Sequence, residues 1–245
     1  MLRNEIKYVI SEAQATILST RIRGLLALDM NMTNPEGYLV SSLYFDDVYE
    51  SSYFEKLAGS EHRTKYRVRT YNGSDSFIAL ECKEKIGGKI QKQSVRITRS
   101  ILDGLIRGDF DALAAIDMPP ARDMLALNRV KRLYPKVVVT YLREAYIHPL
   151  STTRITFDKR LQAGWSSTIL TGGGTEAYTI SNDNAYAFPI SGYNATGSVI
   201  LEIKFDEYLP KFISQALSHS GPPLAASKYV LCRDKLGQLN KFYAI

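Results

Sequence analysis

Residues 63–98, RTKYRVRTYNGSDSFIALECKEKIGGKIQKQSVRIT, decide how the rest of the chain is read. With period two, Lys65, Arg67 and Arg69 share one face of a strand, and Tyr66, Val68 and Thr70 share the other. FIALECKEK repeats the arrangement, with Glu81, Lys83 and Lys85 opposite Leu80 and Cys82. KQSVRIT repeats it again, with Lys92, Ser94 and Arg96 opposite Val95 and Ile97. A half-buried sheet would turn such charges to water. One hairpin cannot separate that ordinary arrangement from an enclosed charged wall; recurrence elsewhere can.

Recurrence is found on both sides. LRNEIKYVI places Arg3, Glu5 and Lys7 on one face and Ile6 and Tyr8 on the other. Ser11 and Gln14 form a capping box that opens a helix to about Leu28, with an apolar stripe of Ile17, Ile22, Leu25 and Leu26. LVSSLYFDD reads as a strand after the turn at Asn34–Gly37, and YESSYFEKL as a short helix. The period becomes helical over residues 101–116 and 120–133, with a break at Met118-Pro119-Pro120. PKVVVTYLREAYI, TTRITFDKRL and SVILEIKFDEYLP return to strands, which carry Tyr141 with Arg143, Arg154 with Asp158, and Glu202 with Lys204. Residues 162–197 read as short strands and loops, with Trp165 as a packing residue, and two short helices close the chain. No boundary divides residues 1–245, so one domain is expected.

Composition narrows the partners. The 31 Lys+Arg against 25 Asp+Glu leave a formal charge of +6, which favours anionic ligands of any kind. Cys82 and Cys232 are far apart and lack metal or disulfide spacing, so a cytoplasmic protein with reduced thiols is expected. No apolar run is long enough to span a membrane, so any membrane attachment would need a membrane-protein partner. The three histidines are scattered, and neither a GxSxG elbow nor a Walker-type GxxxxGK occurs.

About eight strands with charges on one face and apolar residues on the other suggest an α+β fold. We expect a closed antiparallel β-barrel, a tunnel, with helices packed outside and charges within. That interior would hold Lys7, Lys65, Arg67, Arg69, Lys83, Lys85, Lys92, Arg96, Arg143 and Arg154 against Glu5, Glu81, Asp158 and Glu202. Ten cations facing four carboxylates are costly unless a ligand neutralises them, and a linear polyphosphate supplies the missing charge. Arginine binds phosphate oxygens in pairs and lysine as a point charge. The few carboxylates suit Mg²⁺ or Mn²⁺ shared with substrate phosphates. Nucleic acid is disfavoured, because the alternation turns the cations inward instead of onto an open surface.

In order and spacing, EIKY, YFD at 44–46, KYRVRTY, ECKEK, KQSVR, YLREAY, RITFD, ILEIKF and SKY resemble the VTC domain of polyphosphate polymerases, within the triphosphate tunnel metalloenzyme (CYTH-like) superfamily. The resemblance implies transfer of the γ-phosphate of ATP to inorganic polyphosphate, or to pyrophosphate as primer, with a divalent cation. It implies phosphate-clamping roles for Arg67, Arg69, Lys83, Arg143 and Arg154, and substrate contacts for Lys7, Lys92 and Lys228; the alternation adds Tyr141 as a candidate substrate contact, and Lys65, Lys85 and Arg96 as contacts or as rim residues that only steer the ligand. The resemblance makes Glu202 the principal metal ligand, with Glu5 and Glu81 beside it. Glu81 is open between a metal ligand and an internal ion pair, Asp158 between a site residue, a partner for Arg154 and a turn cap, and Tyr141 between substrate contact and packing. The hydrolytic branch carries ExExK where this chain has Arg3-Glu5-Lys7, which points toward the polymerase branch. The alternatives are a metal-dependent triphosphate or polyphosphate hydrolase and a non-catalytic polyphosphate-binding protein.

Overall fold

The computed structural model describes residues 3–32, 34–164, 188–189, 198–218, 221–224 and 227–243, with 188–189 and 238–243 described by backbone alone. In chain order the strands are β1 (Asn4–Ser11), β2 (Ala27–Leu28), β3 (Tyr38–Asp46), β4 (Arg63–Tyr71), β5 (Ser74–Ile86), β6 (Lys89–Arg96), β7 (Tyr134–Ile147), β8 (Arg154–Gly164), β9 (Phe188–Pro189) and β10 (Ser198–Phe205). The helices are α1 (Glu12–Arg23), α2 (Ser51–Leu57), α3 (Arg99–Ile106), α4 (Pro119–Lys131), α5 (Lys211–Ala216) and α6 (Lys228–Tyr243), with a 3-10 turn at Asp111–Ala115.

Eight strands form one curled antiparallel sheet in the order β1-β10-β8-β7-β3-β4-β5-β6, while β2 adds to β7 and β9 to β8. The two hairpins of the opening stretch turn at Asn72-Gly73 and Gly87-Gly88, and all four residues have positive φ. That is the geometry of a type I′ turn, whose twist matches the strands it joins.

The closed barrel expected from the sequence is instead an open half-barrel. Its edge strands β1 and β6 touch in one isolated bridge, Arg3 with Ile90. Continuing that register would set Glu5 against Gly88, in the turn between β5 and β6, so the ladder ends there. Beyond it the Lys7 carbonyl accepts the Leu224 amide at 2.8 Å.

The convex side carries two apolar clusters. One packs Leu43, Phe45, Val68 and Leu80 of the sheet against Leu102, Leu105, Leu113 and Met124 of the outer helices. The other packs Ile155, Phe157, Leu201 and Ile203 against Leu18 and Ile22 of α1 and Ile213 of α5. A third lies on the concave side, where α6 sets Tyr229, Val230, Cys232 and Leu236 against Val40, Val137, Val139 and Tyr141. The interior is therefore not wholly polar as expected: β3 and β7 are apolar on both faces along this stretch, and α6 fills the space they leave.

Helix α1 ends at Arg23 instead of reaching Leu28. Gly24 caps it, Leu28 joins β2, and Ile17 and Leu25 are exposed while Leu18 is buried. The first helix expected in the 101–116 region stops at Ile106, where Gly108 adopts φ 85°. Gly37 has φ 123°, and a Cβ there would lie 2.4 Å from the Arg143 carbonyl oxygen, so only glycine lets the start of β3 approach β7 this closely. Trp165, His219 and most of residues 162–197 lie outside the described residues. Among the described residues, no helix is long and apolar enough to cross a membrane.

Candidate functional site

Cross-strand register builds the site. Lys7 faces Glu202 and Glu5 faces Lys204 between β1 and β10. Across β4, β5 and β6, however, Lys65 faces Lys83 and Lys83 faces Lys92, while Arg63 faces Lys85. Like charges directly opposite one another destabilise a sheet, so this row needs a counter-charge.

The concave face here encloses a cavity of about 280 Å³. It is lined by Lys7, Lys56, Arg63, Lys65, Arg67, Arg69, Lys83, Lys85, Arg143, Lys204 and Lys228, eleven cations, against Glu5, Glu84 and Glu202, three carboxylates. Tyr44, Tyr141, Ser227, Leu224 and Tyr229 complete most of the remaining wall.

The carboxylates near the cavity are shared among these cations. Lys83 donates to both oxygens of Glu5 at 2.9 and 2.8 Å, and Lys7 lies 2.7 Å from Glu5. Glu202 pairs with Lys204 at 2.5 Å and more distantly with Lys7 at 3.8 Å and Lys228 at 3.9 Å. Burial opposes ionisation of both glutamates, yet the surrounding lysines hold each below the usual carboxylate range. Burial also opposes the charge on Lys7, but Glu5 and Glu202 raise its proton affinity above that of an ordinary lysine.

Lys65 has no such compensation. Its ammonium meets the Ser227 hydroxyl at 3.2 Å and the ring of Tyr229 at 4.9 Å, and no carboxylate pairs with it among the described residues. Burial, followed by the charges of Arg63, Lys7, Lys56 and Lys83, pushes its pKa down to about 7. Burial likewise lowers Lys83 to about 8 despite Glu5.

Behind the cavity, buried carboxylates fix the arginines. Arg67 donates from Nε to Glu81 at 2.7 Å and from Nη1 to the Tyr44 hydroxyl at 2.8 Å. Arg143 holds both oxygens of Asp158 at 2.6 and 2.7 Å, and Lys228 reaches the same carboxylate at 2.5 Å. Arg69 donates to Ser42 and Tyr141 at 3.0 and 3.1 Å. These paired contacts set the guanidinium planes.

Of the residues singled out in the sequence, Arg67, Arg69, Lys83, Arg143, Lys7, Lys65, Lys85, Tyr141, Lys228, Glu202 and Glu5 come together in the cavity lining. Glu81 stands behind it as an internal ion-pair partner, with one oxygen on Arg67 and the other on Lys92 at 2.7 Å. Arg96 stacks on Phe77 at 4.6 Å, away from the cavity. Arg154 pairs with Asp29 at 2.5 Å and with the Tyr38 hydroxyl at 2.8 Å, so Asp158 belongs to Arg143 and not to Arg154. Lys56, Arg63, Lys204, Tyr44, Ser227 and Tyr229 were not singled out. Lys204 follows the same alternation as Glu202, and Ser227 and Tyr229 flank Lys228. Lys56 sits on a seven-residue helix whose short span gives no periodicity to orient it.

Among the described residues no group of three or more His, Cys, Asp or Glu is placed to hold a metal. Glu5 and Glu202 alone face the cavity near one another, each already engaged by lysines. That donor set fits a hard cation only if ligand phosphates complete its shell.

The family model of the VTC domain matches residues 2–236. No curated protein matches the sequence significantly. Among solved structures, protein PH1819 from Pyrococcus horikoshii OT3 is similar at 12% identity, over 95% of this chain and 99% of that one, with a TM-score of 0.46. A candidate adenylate cyclase from Bacillus halodurans is similar at 9% identity, over 100% of this chain and 92% of that one, with a TM-score of 0.45.

Proposed function

The chain belongs to the VTC domain family, and on that premise we propose that its cavity binds linear oligophosphate and transfers the γ-phosphoryl group of ATP to a growing inorganic polyphosphate chain. The observation that carries this reading is the excess of eleven cations over three carboxylates in the cavity wall, where Lys65 faces Lys83 and Arg63 faces Lys85 on adjacent strands. A chain of phosphates in that cavity would supply the negative charge that its three carboxylates do not.

Arg67 and Arg143, their planes held by Glu81 and Asp158, clamp phosphate oxygens. Donors fixed before the ligand arrives need no reorganisation as charge shifts to the leaving diphosphate, so they stabilise that shift directly. Lys7, Lys83, Lys204 and Lys228 neutralise the chain on either side, and alignment of donor and acceptor phosphates within one narrow cavity provides the proximity term. A Mg²⁺ or Mn²⁺ ion shared by Glu5, Glu202 and phosphate oxygens would offset charge on the transferring group. An oligophosphate joining Lys83 and Lys85 of β5 to Lys7 and Lys204 of β1 and β10 would also draw the open edges toward a full barrel.

The test is incubation with ATP and either metal, reading product chain length for the wild type, Arg67→Ala and Glu202→Gln. Long acid-labile chains with release of ADP, reduced in both variants, are expected. Free phosphate as the product would make the protein a hydrolase, and binding without turnover would make it a polyphosphate receptor. Failure of the wild type to bind tripolyphosphate would refute the site itself.

A further inference from the structure

Asp46, the last residue of β3, is 1% exposed and does not line the cavity. Its Oδ1 accepts the amides of Ser52 at 2.9 Å and Asp47 at 3.0 Å. Its Oδ2 accepts the Tyr53 amide at 3.2 Å and the Tyr229 hydroxyl at 2.5 Å. One carboxylate therefore ties the first turn of α2 to the first turn of α6.

Tyr229 in turn is connected to the cavity cations by three routes. The Lys65 ammonium lies over its ring at 4.9 Å. The ring packs 5.3 Å from that of Tyr44, whose hydroxyl accepts Arg67 at 2.8 Å. The two residues before Tyr229 are Ser227, which meets Lys65 at 3.2 Å, and Lys228, on Asp158 at 2.5 Å. Other links between α2 and α6, Tyr53 with Asp234 and Glu50 with Arg233, involve no residue of the cavity wall. They hold the helices together without touching the cations.

We propose that Asp46, acting through the Tyr229 hydroxyl, is a positioning residue that sets Lys65, Arg67 and Lys228 at the spacing an oligophosphate needs. The proposal rests on the reading of the cavity as an oligophosphate site. Tyr229 supplies a buried ring that Lys65 and Tyr44 contact, and its hydroxyl needs a hydrogen-bond partner in the interior, which Asp46 provides. A buried carboxylate accepting four hydrogen bonds holds that end more firmly than a neutral acceptor would.

Asp46→Asn, Tyr229→Phe and the control Tyr53→Phe are compared by titration calorimetry with tripolyphosphate, and by NMR titration of the Lys65 ammonium without ligand. Asp46→Asn and Tyr229→Phe are each expected to weaken tripolyphosphate binding roughly tenfold. The double variant should be no weaker than the worse single one, since both cut the same link. In both, the Lys65 titration should move from its wild-type value, because the ring beneath its ammonium is no longer held. Tyr53→Phe should change neither quantity while lowering the melting temperature. Unchanged Lys65 titration in Asp46→Asn and Tyr229→Phe overturns the proposal, as does an equal loss of binding in Tyr53→Phe. If the Lys65 shift is seen but the wild type binds no tripolyphosphate, the positioning link stands as geometry. The oligophosphate role fails instead, and the spacing claim falls with it.

Discussion

Glu81→Gln separates two roles that the sequence leaves open for this side chain. The carboxylate is 2% exposed, with one oxygen on Arg67 and the other on Lys92. Removing its charge leaves Arg67 and Arg69 buried without their counter-ion, which costs about 3–5 kcal/mol when one partner of a buried pair is lost. For a protein of this size each kcal/mol moves the melting temperature by ~2–4 °C, so a drop of the order of 10 °C is expected. Burial favours the neutral acid, but Arg67, Arg69 and Lys92 hold the folded-state carboxyl far below the usual range. Its contribution is therefore complete above the ordinary glutamate value of ~4.3 and is lost progressively as pH falls from there through the much lower folded value. The gap between wild type and variant should accordingly be constant from neutral pH down to mildly acid conditions.

Tripolyphosphate should partly repair the loss. If the unpaired arginines bind it tenfold more tightly, saturating ligand adds about 1.4 kcal/mol more stability to the variant than to the wild type, or roughly 3–6 °C. Differential scanning calorimetry at several ligand concentrations, with and without Mg²⁺, measures both numbers. A variant as stable as the wild type would refute the ion-pair reasoning. A loss of metal-dependent stabilisation by tripolyphosphate would instead make Glu81 a metal ligand.

Four further outcomes are expected. Because Lys65 and Lys83 titrate near 7 and 8, tripolyphosphate binding at pH 8 should take up protons and weaken as pH rises, while Lys65→Arg should flatten that dependence. Calorimetry in buffers of different ionisation enthalpy checks it. The same depressed values make folding stability rise with pH between about 7 and the unfolded lysine value of ~10.4, where the unfolded chain binds more protons. Gly37→Ala should cost at least about 1–3 kcal/mol in chemical denaturation and weaken tripolyphosphate binding, because the added Cβ meets the Arg143 carbonyl. Met124→Ala, buried in the outer cluster, should cost about 2–5 kcal/mol but leave tripolyphosphate affinity unchanged.

Alternation in residues 63–98 was enough to place Lys65, Arg67, Arg69, Lys83 and Lys85 on one wall, because the period of a strand assigns every side chain to a face. The turns at Asn72-Gly73 and Gly87-Gly88 were equally readable from residue type, since few residues other than glycine and asparagine accept their positive φ. Period two does not say which face is concave or how far the sheet closes. Arg154 and Arg96 obey the same alternation as Arg67 but lie beyond the cavity, with Asp29, Tyr38 and Phe77 as their partners. The stagger between strands, a property of the whole sheet, put them there.

Local pattern thus determined the strands, the charged wall and its excess of cations, all consequences of backbone geometry that act over a few residues. Only the tertiary structure decided that β1 and β6 meet at one bridge, that α6 lies inside the curve, and that Glu81 and Asp158 serve Arg67 and Arg143. It also brought Asp46 to Tyr229 across 183 residues. Which carboxylate meets which cation depends on curl, register and a packed helix, and those are set by burial summed over the whole chain.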